Sequence, residues 1–265
     1  MTNIAFLGAG NIAYAIAGGL VETGYPASNI VAADPVPSQL EKFAEKGIGT
    51  ATSNLAAADS ADVVMLCVKP DTVKEVGEVL ADDSQGKLLI SVAAGITTDS
   101  IAKWYQNDSI VRCMPNTPSL IKRGMTGLYA RPGVTTAQKE LTDQIMGAVG
   151  KTAWFDAEAD LDAVTAISGS GPAYFFYVME VMEAAALKFG LDPEVTRELI
   201  LQTALGASEM ALNSEHSLTQ LRTNVTSKGG TTAAALDQLE QANIGEAFDK
   251  ALVAARDRSI EMSEQ

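Results

Sequence analysis

The first half of the chain alternates short β-branched runs with stretches of helical periodicity. The runs that predict strands cover residues 3–8, 30–33, 62–68, 88–93, 110–113, 126–130 and 151–155. The stretches that predict helices cover residues 11–23, 38–46, 72–80, 98–105 and 136–149. Strands separated by helices of this length form βαβ units, which predict one parallel sheet covered by helices on both faces.

The character of the sequence changes after about residue 156, and no convincing strand follows Leu161. Helices are predicted over residues 172–189, 192–213, 217–225, 231–241 and 245–262. The first of these is apolar on nearly every face, interrupted only by Glu180, Glu183 and Lys188. Such a helix needs burial on all sides, and a partner subunit is the simplest way to provide it. We therefore predict an α/β chain in which an all-helical, self-associating domain follows the sheet domain.

Charge and cysteine usage exclude several classes of function. Asp and Glu number 33 against 19 Lys and Arg, and the resulting formal charge of −14 disfavours nucleic acid and anionic membranes as partners. No apolar run reaches the ~18 residues of a membrane span, and no basic signal-peptide region opens the chain. Cys67 and Cys113 lie in apolar runs without a CxxC motif, and His216 is the single histidine. We expect no metal site and interpret both thiols as reduced core residues of a cytoplasmic protein.

The segment GAGNIA at residues 8–13 lies between the first predicted strand and the first predicted helix. Gly8 permits a tight turn, Gly10 lets the backbone approach a pyrophosphate, and Ala13 lets helix and strand pack closely. The helix N-terminus offers free N–H groups and partial positive charge to phosphates. The pattern predicts a Rossmann-type dinucleotide-binding domain; the alternative is a glycine turn that serves packing only.

Three further segments follow predicted strands, at the edge where ligands bind in such sheets. An acidic residue at the position of Asp34 accepts hydrogen bonds from the adenosine ribose and favours NADH; the alternative is a residue that caps the turn or the next helix. Lys69 either places a cation near the cofactor or is a solvated residue before a helix. A loop stiffened by two prolines either presents Asn116 and Thr117 to a bound ring or is a rigid structural turn.

A second glycine-rich segment precedes the helix predicted to begin at Thr231. Gly229 and Gly230 leave backbone N–H groups exposed at that helix N-terminus, which suits a small carboxylate. The neighbouring Thr232 hydroxyl is suited to hydrogen-bond a ring nitrogen. The alternative is an ordinary helix start without a ligand.

Taken together, these segments resemble the pyrroline-5-carboxylate reductase family. The resemblance is carried by GAGNIA at 8–13, VKP at 68–70, SVAAG at 91–95, RCMPNTP at 112–118, ISGSGPAY at 167–174 and SKGGTT at 227–232. It covers essentially the whole chain in order. It implies an enzyme that reduces the C=N bond of 1-pyrroline-5-carboxylate with NADPH or NADH, giving L-proline in the last step of proline biosynthesis. It also implies an intertwined dimer or larger ring, with an active site shared between subunits.

The resemblance implies roles for residues in both halves of the chain. Residues 1–157 correspond to the dinucleotide-binding domain and residues 158–265 to the helical substrate-binding and dimerisation domain. The implied cofactor-binding residues are Leu7, Gly8, Ala9, Gly10, Asn11, Ile12, Asp34, Asn54, Cys67, Val68, Lys69, Pro70, Ala93, Ala94, Gly95 and Asn224. The substrate-binding residues are Glu215, Ser227, Gly229, Gly230, Thr231 and Thr232, and Thr232 is assigned the catalytic role of orienting the substrate ring.

The chain departs from the family pattern at two positions, and two other functions stay open. Lys228 stands where the family usually has proline, and Asp34 stands where NADPH-preferring members have a neutral or basic residue. One alternative is another imine or β-hydroxyacid dehydrogenase; that hydroxyacid class needs a catalytic lysine, and none occurs between Gly171 and Lys188. The other is a non-catalytic dinucleotide-sensing dimer, which would not need the segment 229–232.

Overall fold

A computed structural model describes residues 1–263 of the chain. Within these residues an eight-stranded sheet has the strand order β3-β2-β1-β4-β5-β6-β7-β8. Neighbouring strands are parallel except for the antiparallel pair β6–β7. The strands are β1 (Ile4–Leu7), β2 (Ile30–Ala33), β3 (Gly49–Ala51), β4 (Val63–Leu66), β5 (Leu88–Ser91), β6 (Ile110–Met114), β7 (Gly124–Ala130) and β8 (Gly150–Phe155).

Helices cover both faces of this sheet, because alternate residues of each strand point to opposite sides. Ile4 and Phe6 of β1 enter one core, and Ala5 and Leu7 enter the other. The first core packs against α1 (Asn11–Glu22), α2 (Pro37–Ala44) and α6 (Thr136–Gly147). The second packs against α3 (Asn54–Ala58), α4 (Pro70–Leu80) and α5 (Thr98–Tyr105). Burial on both faces explains why the strands are continuous apolar runs.

The predicted strands are all present, but the sheet contains more than was predicted. Strand β3 and helix α3 were missed because both are short and β3, which lies at the sheet edge, has no apolar run. The sheet is also not wholly parallel, which corrects the expectation from βαβ repetition. Only a short 3₁₀ turn, Thr117–Ile121, lies between β6 and β7, and a parallel crossover needs a dozen or more residues.

Beyond the sheet the chain is helical. After α7 (Asp160–Val164), a π-helical turn covers Thr165–Gly169. The remaining helices are α8 (Gly171–Ala186), α9 (Pro193–Leu212), α10 (Leu218–Asn224), α11 (Thr231–Gln241) and α12 (Ile244–Ser263), which confirms the five predicted here. Packing divides the chain into two compact units, Met1–Pro172 with the segment from Ala254 onward, and Ala173–Val253. The functional boundary between residues 157 and 158 stays a prediction.

Helix α8 exposes a large apolar surface in the single chain. Phe175, Phe176 and Tyr177 are 67%, 65% and 66% exposed. An apolar cleft of about 440 Å³ lies in the same unit and is lined by Tyr174, Tyr177, Val178, Val181, Met182, Leu239, Ile244, Ala247, Phe248 and Ala251. Surfaces of this size and character mark interaction sites. No helix within residues 1–263 has the length and apolar character required to cross a membrane.

Candidate active site

The glycine loop after β1 forms an open cradle at the start of α1. Gly8 has φ +96°, and a Cβ there would lie 2.7 Å from the carbonyl carbon and oxygen of Cys67, so only glycine fits. At Gly10, by contrast, a Cβ would have no described neighbour within 4 Å, and no side chain of the described residues caps α1. Within residues 1–263, the first turn of α1 therefore has no side-chain cap, and the space that a Cβ at residue 10 would enter is open. This arrangement fits a dinucleotide pyrophosphate.

Asp34 follows β2 and is bound to the glycine loop. Its Oδ2 accepts a hydrogen bond from the Ala9 N–H at 3.0 Å, and its Oδ1 accepts one from the Val36 N–H at 2.9 Å. The carboxylate therefore caps the turn, as the second interpretation of this residue predicts. Its half-buried position leaves part of the side chain accessible at the sheet edge, and its role as a ribose selector stays a prediction.

The two segments predicted to lie beside the nicotinamide follow neighbouring parallel strands, so they share one sheet edge with the glycine loop. Cys67 and Val68 follow β4 and are half-buried, while Lys69 is exposed directly before α4. Ala93 follows β5 and is buried, and its N–H donates to the Ser91 hydroxyl at 3.3 Å. Asn54 opens α3 beyond the edge strand β3. The structure thus brings the predicted cofactor residues of the sheet domain to one edge.

Neither thiol of the sheet domain is ionised at neutral pH. Burial raises the pKa of the Cys67 thiol to about 12. Burial also raises the pKa of the Cys113 thiol well above its usual range. Both residues are free cysteines, so Cys67 lies beside the glycine loop as a neutral, weakly polar group.

An ion pair between the buried Arg112 and the half-buried Glu158 supports the loop after β5, and sequence reasoning missed it. Glu158 Oε1 accepts from the Thr98 N–H at 2.8 Å, and its Oε2 accepts from the Thr98 hydroxyl at 2.6 Å. The Arg112 guanidinium, only 6% exposed, donates to the same Glu158 Oε1 at 2.9 Å. Glu158 therefore caps the N-terminus of α5, three residues beyond Gly95. No local pattern could have revealed a contact that spans 60 residues.

The C-terminal end of α12 packs on the same loop. Gly95 has φ +73°, and a Cβ there would lie 2.9 Å from the Met262 Cβ. One turn earlier, the Ser259 hydroxyl donates to Asp162 Oδ1 at 2.7 Å, and both residues are buried. Gly95 therefore packs against α12, and Glu158 holds the start of α5 that follows this segment.

The proline-flanked loop after β6 does not leave Asn116 free to face a ligand. The Asn116 Nδ2 donates to the Ser168 carbonyl at 3.2 Å and to the Ser168 hydroxyl at 3.1 Å. Its Oδ1 accepts from the Met125 N–H at 2.9 Å. This corrects the expectation that the loop presents Asn116 to a bound ring and favours the rigid structural turn. Thr117 is exposed at the start of the 3₁₀ turn.

The second glycine segment also forms an open helix start, within the helical unit. Gly229 has φ +74°, and Gly230 is the N-cap residue of α11 without a side-chain cap among the described residues. A Cβ at Gly230 would lie 2.4 Å from the Ser227 hydroxyl, so a larger residue there would have to displace that hydroxyl. Thr231 is exposed and Thr232 half-buried in the first turn of α11. The geometry fits a small anion.

The remaining predicted site residues of this unit lie on its surface. Glu215 is exposed before α10, and Asn224 is exposed at the end of α10, where its Oδ1 accepts from Gln220 Nε2 at 2.8 Å. Lys228, which replaces the family's proline, is exposed in the turn before α11. Their roles stay predictions.

Comparison with known proteins now decides the family. The model for pyrroline-5-carboxylate reductase dimerisation matches residues 158–262, and the model described as NADP oxidoreductase coenzyme F420-dependent matches residues 3–95. The pyrroline-5-carboxylate reductase of Pseudomonas aeruginosa is 48% identical over 99% of this chain and 97% of its own length. The chain belongs to the pyrroline-5-carboxylate reductase family.

Solved structures of family members agree with this assignment. The pyrroline-5-carboxylate reductase of Coxiella burnetii superposes with a TM-score of 0.95 at 44% identity, covering 100% of this chain and 99% of that one. The Plasmodium falciparum pyrroline carboxylate reductase, solved with NADP bound, superposes with a TM-score of 0.88 at 29% identity and covers 99% and 98%. The family resemblance and the fold class predicted from sequence are thereby confirmed.

Proposed function

We propose that the chain reduces the C=N bond of 1-pyrroline-5-carboxylate with a reduced nicotinamide dinucleotide, giving L-proline. The observation that carries this proposal is the 48% identity to a pyrroline-5-carboxylate reductase over 99% of the chain. A match of that extent includes both open helix N-termini, one suited to a pyrophosphate and one to a small carboxylate. A dinucleotide sensor would need only the first.

The reaction requires little acid–base chemistry from the protein. The reduced nicotinamide, when bound, supplies a hydride from its C4. The ring carbon of the C=N bond, which lies across the nitrogen from the carbon that bears the carboxylate, accepts the hydride while the C=N π electrons move to nitrogen, which becomes the amine of proline. Because the imine nitrogen can arrive protonated, no strong general acid is required. Placement of the two reactants in contact then accounts for most of the rate enhancement.

In this scheme the residues of the chain bind the cofactor and the substrate and orient the substrate ring. The free N–H groups of α1 hold the pyrophosphate, and those of α11 hold the substrate carboxylate. The Thr232 hydroxyl hydrogen-bonds the ring nitrogen and orients the ring. The buried Ala93 and the neutral Cys67 exclude water from the nicotinamide side. The remaining residues predicted to bind cofactor or substrate take the roles that the family resemblance implies.

We propose NADH as the preferred cofactor, through Asp34. A carboxylate at the end of β2 repels the 2′-phosphate of NADPH and accepts from the ribose hydroxyls of NADH. The NADP in the Plasmodium falciparum structure is bound by that relative and not by this chain. The preference of this chain between NADH and NADPH therefore has to be measured. Steady-state kinetics with both dinucleotides provide that measurement.

We also propose that the chain works as an intertwined dimer in the cytoplasm, with residues 158–265 as the dimerisation domain. The exposed Phe175, Phe176 and Tyr177 support this assembly, as does the dimerisation family match over residues 158–262. The segment 227–232 of one subunit then binds the substrate next to the cofactor that its partner holds. Neither nucleic acid nor a membrane is a proposed partner of a chain with formal charge −14.

The central test is consumption of reduced dinucleotide on addition of pyrroline-5-carboxylate, followed by the loss of its near-ultraviolet absorbance. Stoichiometric formation of proline supports the proposal. Binding of dinucleotide without consumption would instead support a sensor. Turnover of a β-hydroxyacid in place of the imine would support the second dehydrogenase class.

A further inference from the structure

We propose that Asn116 is a positioning residue for hydride transfer, acting through the π-helical turn Thr165–Gly169. The inference rests on the proposed function and adds a residue that touches neither cofactor nor substrate in it. Its basis is the hydrogen-bonding of one amide group to two segments that lie far apart in sequence.

The π-helical turn is an unusual backbone conformation held by specific contacts. The Ser170 N–H donates to the Thr165 carbonyl at 2.8 Å, the i→i+5 bond that defines this turn. Turns of this kind are rare and are frequently located at functional sites. Gly169 packs against Met114, since a Cβ on Gly169 would lie 2.5 Å from the Met114 Cε. The turn therefore lies directly against the end of β6.

Asn116 joins this turn to the sheet. Its Nδ2 donates to the carbonyl and hydroxyl of Ser168, inside the turn, and its Oδ1 accepts from the Met125 N–H at the start of β7. All three contacts use the full geometry of one planar amide, so a small rotation breaks at least one of them. The turn is thus fixed relative to the carboxyl end of β6.

This position matters because β6 is the parallel neighbour of β5. The ends of β5 and β6 share the edge that carries the Ala93–Gly95 segment, where the nicotinamide is predicted to lie. A displaced turn would change the shape of that edge without removing any ligand-binding group. Misplacement of reacting groups by about 1 Å can lower the rate about a hundredfold.

The chain provides a matched control in Asn107, which precedes β6 at the opposite edge of the sheet. Its Nδ2 donates to the carbonyls of Ser84 and Lys87 at 2.6 and 2.9 Å, and its Oδ1 accepts from the Ser109 N–H at 2.7 Å. Each asparagine therefore donates two hydrogen bonds through Nδ2 and accepts one backbone N–H through Oδ1, and they differ in that one of the two acceptors of Asn116 is a hydroxyl. Only Asn116 does so at the edge that carries the predicted cofactor residues.

The test compares Asn116→Asp with Asn107→Asp in the full-length protein. Each change keeps one acceptor oxygen and replaces the donating NH₂ with an oxygen that cannot donate to the carbonyl it faces, at Ser168 in one variant and at Ser84 and Lys87 in the other. We expect Asn116→Asp to lower kcat by about tenfold or more with unchanged dinucleotide Kd, and to raise the isotope effect from C4-deuterated dinucleotide. Ser168→Ala keeps the carbonyl acceptor and lowers kcat less. Asn107→Asp lowers the melting temperature and leaves kcat unchanged.

A second readout follows the turn itself. Hydrogen exchange of the Ser170 amide should become faster in Asn116→Asp and stay unchanged in Asn107→Asp. Wild-type kcat in Asn116→Asp, or an equal loss of kcat in both variants, overturns this inference while leaving the proposed function intact. A wild-type enzyme without turnover overturns the proposed function and the catalytic part of this inference together.

Discussion

The Oδ2 atom of Asp34 lies 3.0 Å from the backbone nitrogen of Ala9, so one carboxylate joins the end of β2 to the glycine loop after β1. The same side chain also accepts from the Val36 N–H. Asp34 therefore supports the glycine loop, which in our proposal holds the pyrophosphate, and in the same proposal it selects the dinucleotide. A substitution there should affect both stability and cofactor choice.

Asp34→Ser should raise the ratio of kcat/KM for NADPH to that for NADH by about tenfold or more. A charge removed from beside a 2′-phosphate is worth at least about 1.4 kcal/mol. The melting temperature should fall too, because two backbone N–H groups lose their acceptor. Asp59→Ser, at an exposed carboxylate just after α3, is the control and should change neither quantity. An unchanged ratio in Asp34→Ser would leave that residue with a structural role only.

Gly8→Ala and Gly10→Ala should fail in different ways. Gly8 has φ +96° and no room for a Cβ, so alanine there should destabilise the fold by about 1–3 kcal/mol or more. At Gly10 a Cβ meets no described atom within 4 Å. Gly10→Ala should therefore keep the wild-type melting temperature and raise the dinucleotide Kd by about tenfold. Calorimetry measures the stability of both variants, and fluorescence titration measures their dinucleotide Kd. A wild-type Kd in Gly10→Ala would contradict the proposal that the pyrophosphate binds at the start of α1.

Thr232→Ala should lower kcat on the imine by about tenfold to a hundredfold, the value of one hydrogen bond to a partly charged group. Dinucleotide affinity should stay unchanged, because the loss occurs at the substrate ring. Thr232→Ser keeps the hydroxyl and should retain most of the activity. Steady-state kinetics of the three proteins make the comparison, and wild-type turnover in Thr232→Ala removes this residue from the mechanism.

Cys67→Ala should leave the pH dependence of kcat/KM unchanged from about pH 6 to about pH 9. Burial raises the pKa of this thiol to about 12, so the thiol is neutral throughout that range and contributes no ionisation. Alkylation by iodoacetamide should accordingly be slow in the native protein and fast in denaturant. A basic limb of the profile that disappears in Cys67→Ala would show that the thiolate forms and takes part.

Phe176→Asp should lower the molecular mass of the assembly measured by sedimentation equilibrium. Phe176 is 65% exposed in the single chain, and a partner that covers it would have to bury the introduced charge. Val79→Asp, at a 62% exposed position on α4, is the control. An assembly of unchanged mass in Phe176→Asp would place the subunit interface elsewhere.

Much of the fold follows from local sequence patterns. Continuous apolar runs identify the strands because both faces of the sheet are covered, and caps such as Thr97 before α5 mark where helices begin. Residues 8–13 identify the dinucleotide cradle because the left-handed turn at Gly8 and the open approach at Gly10 both depend on the absence of a Cβ. Strand β3 escaped prediction because an exposed strand of three residues has no such run.

The chain's own sequence determined the order of its elements, the two glycine-opened helix starts and the family to which it belongs. Only the tertiary structure decided what Asp34, Asn116 and Glu158 touch. Asn116 meets Ser168 across 52 residues, and Glu158 meets Thr98 across 60. The physical reason is that propensity and periodicity act over a few residues, whereas a planar amide or a carboxylate takes whichever donors the packed sheet and helices bring within 3 Å.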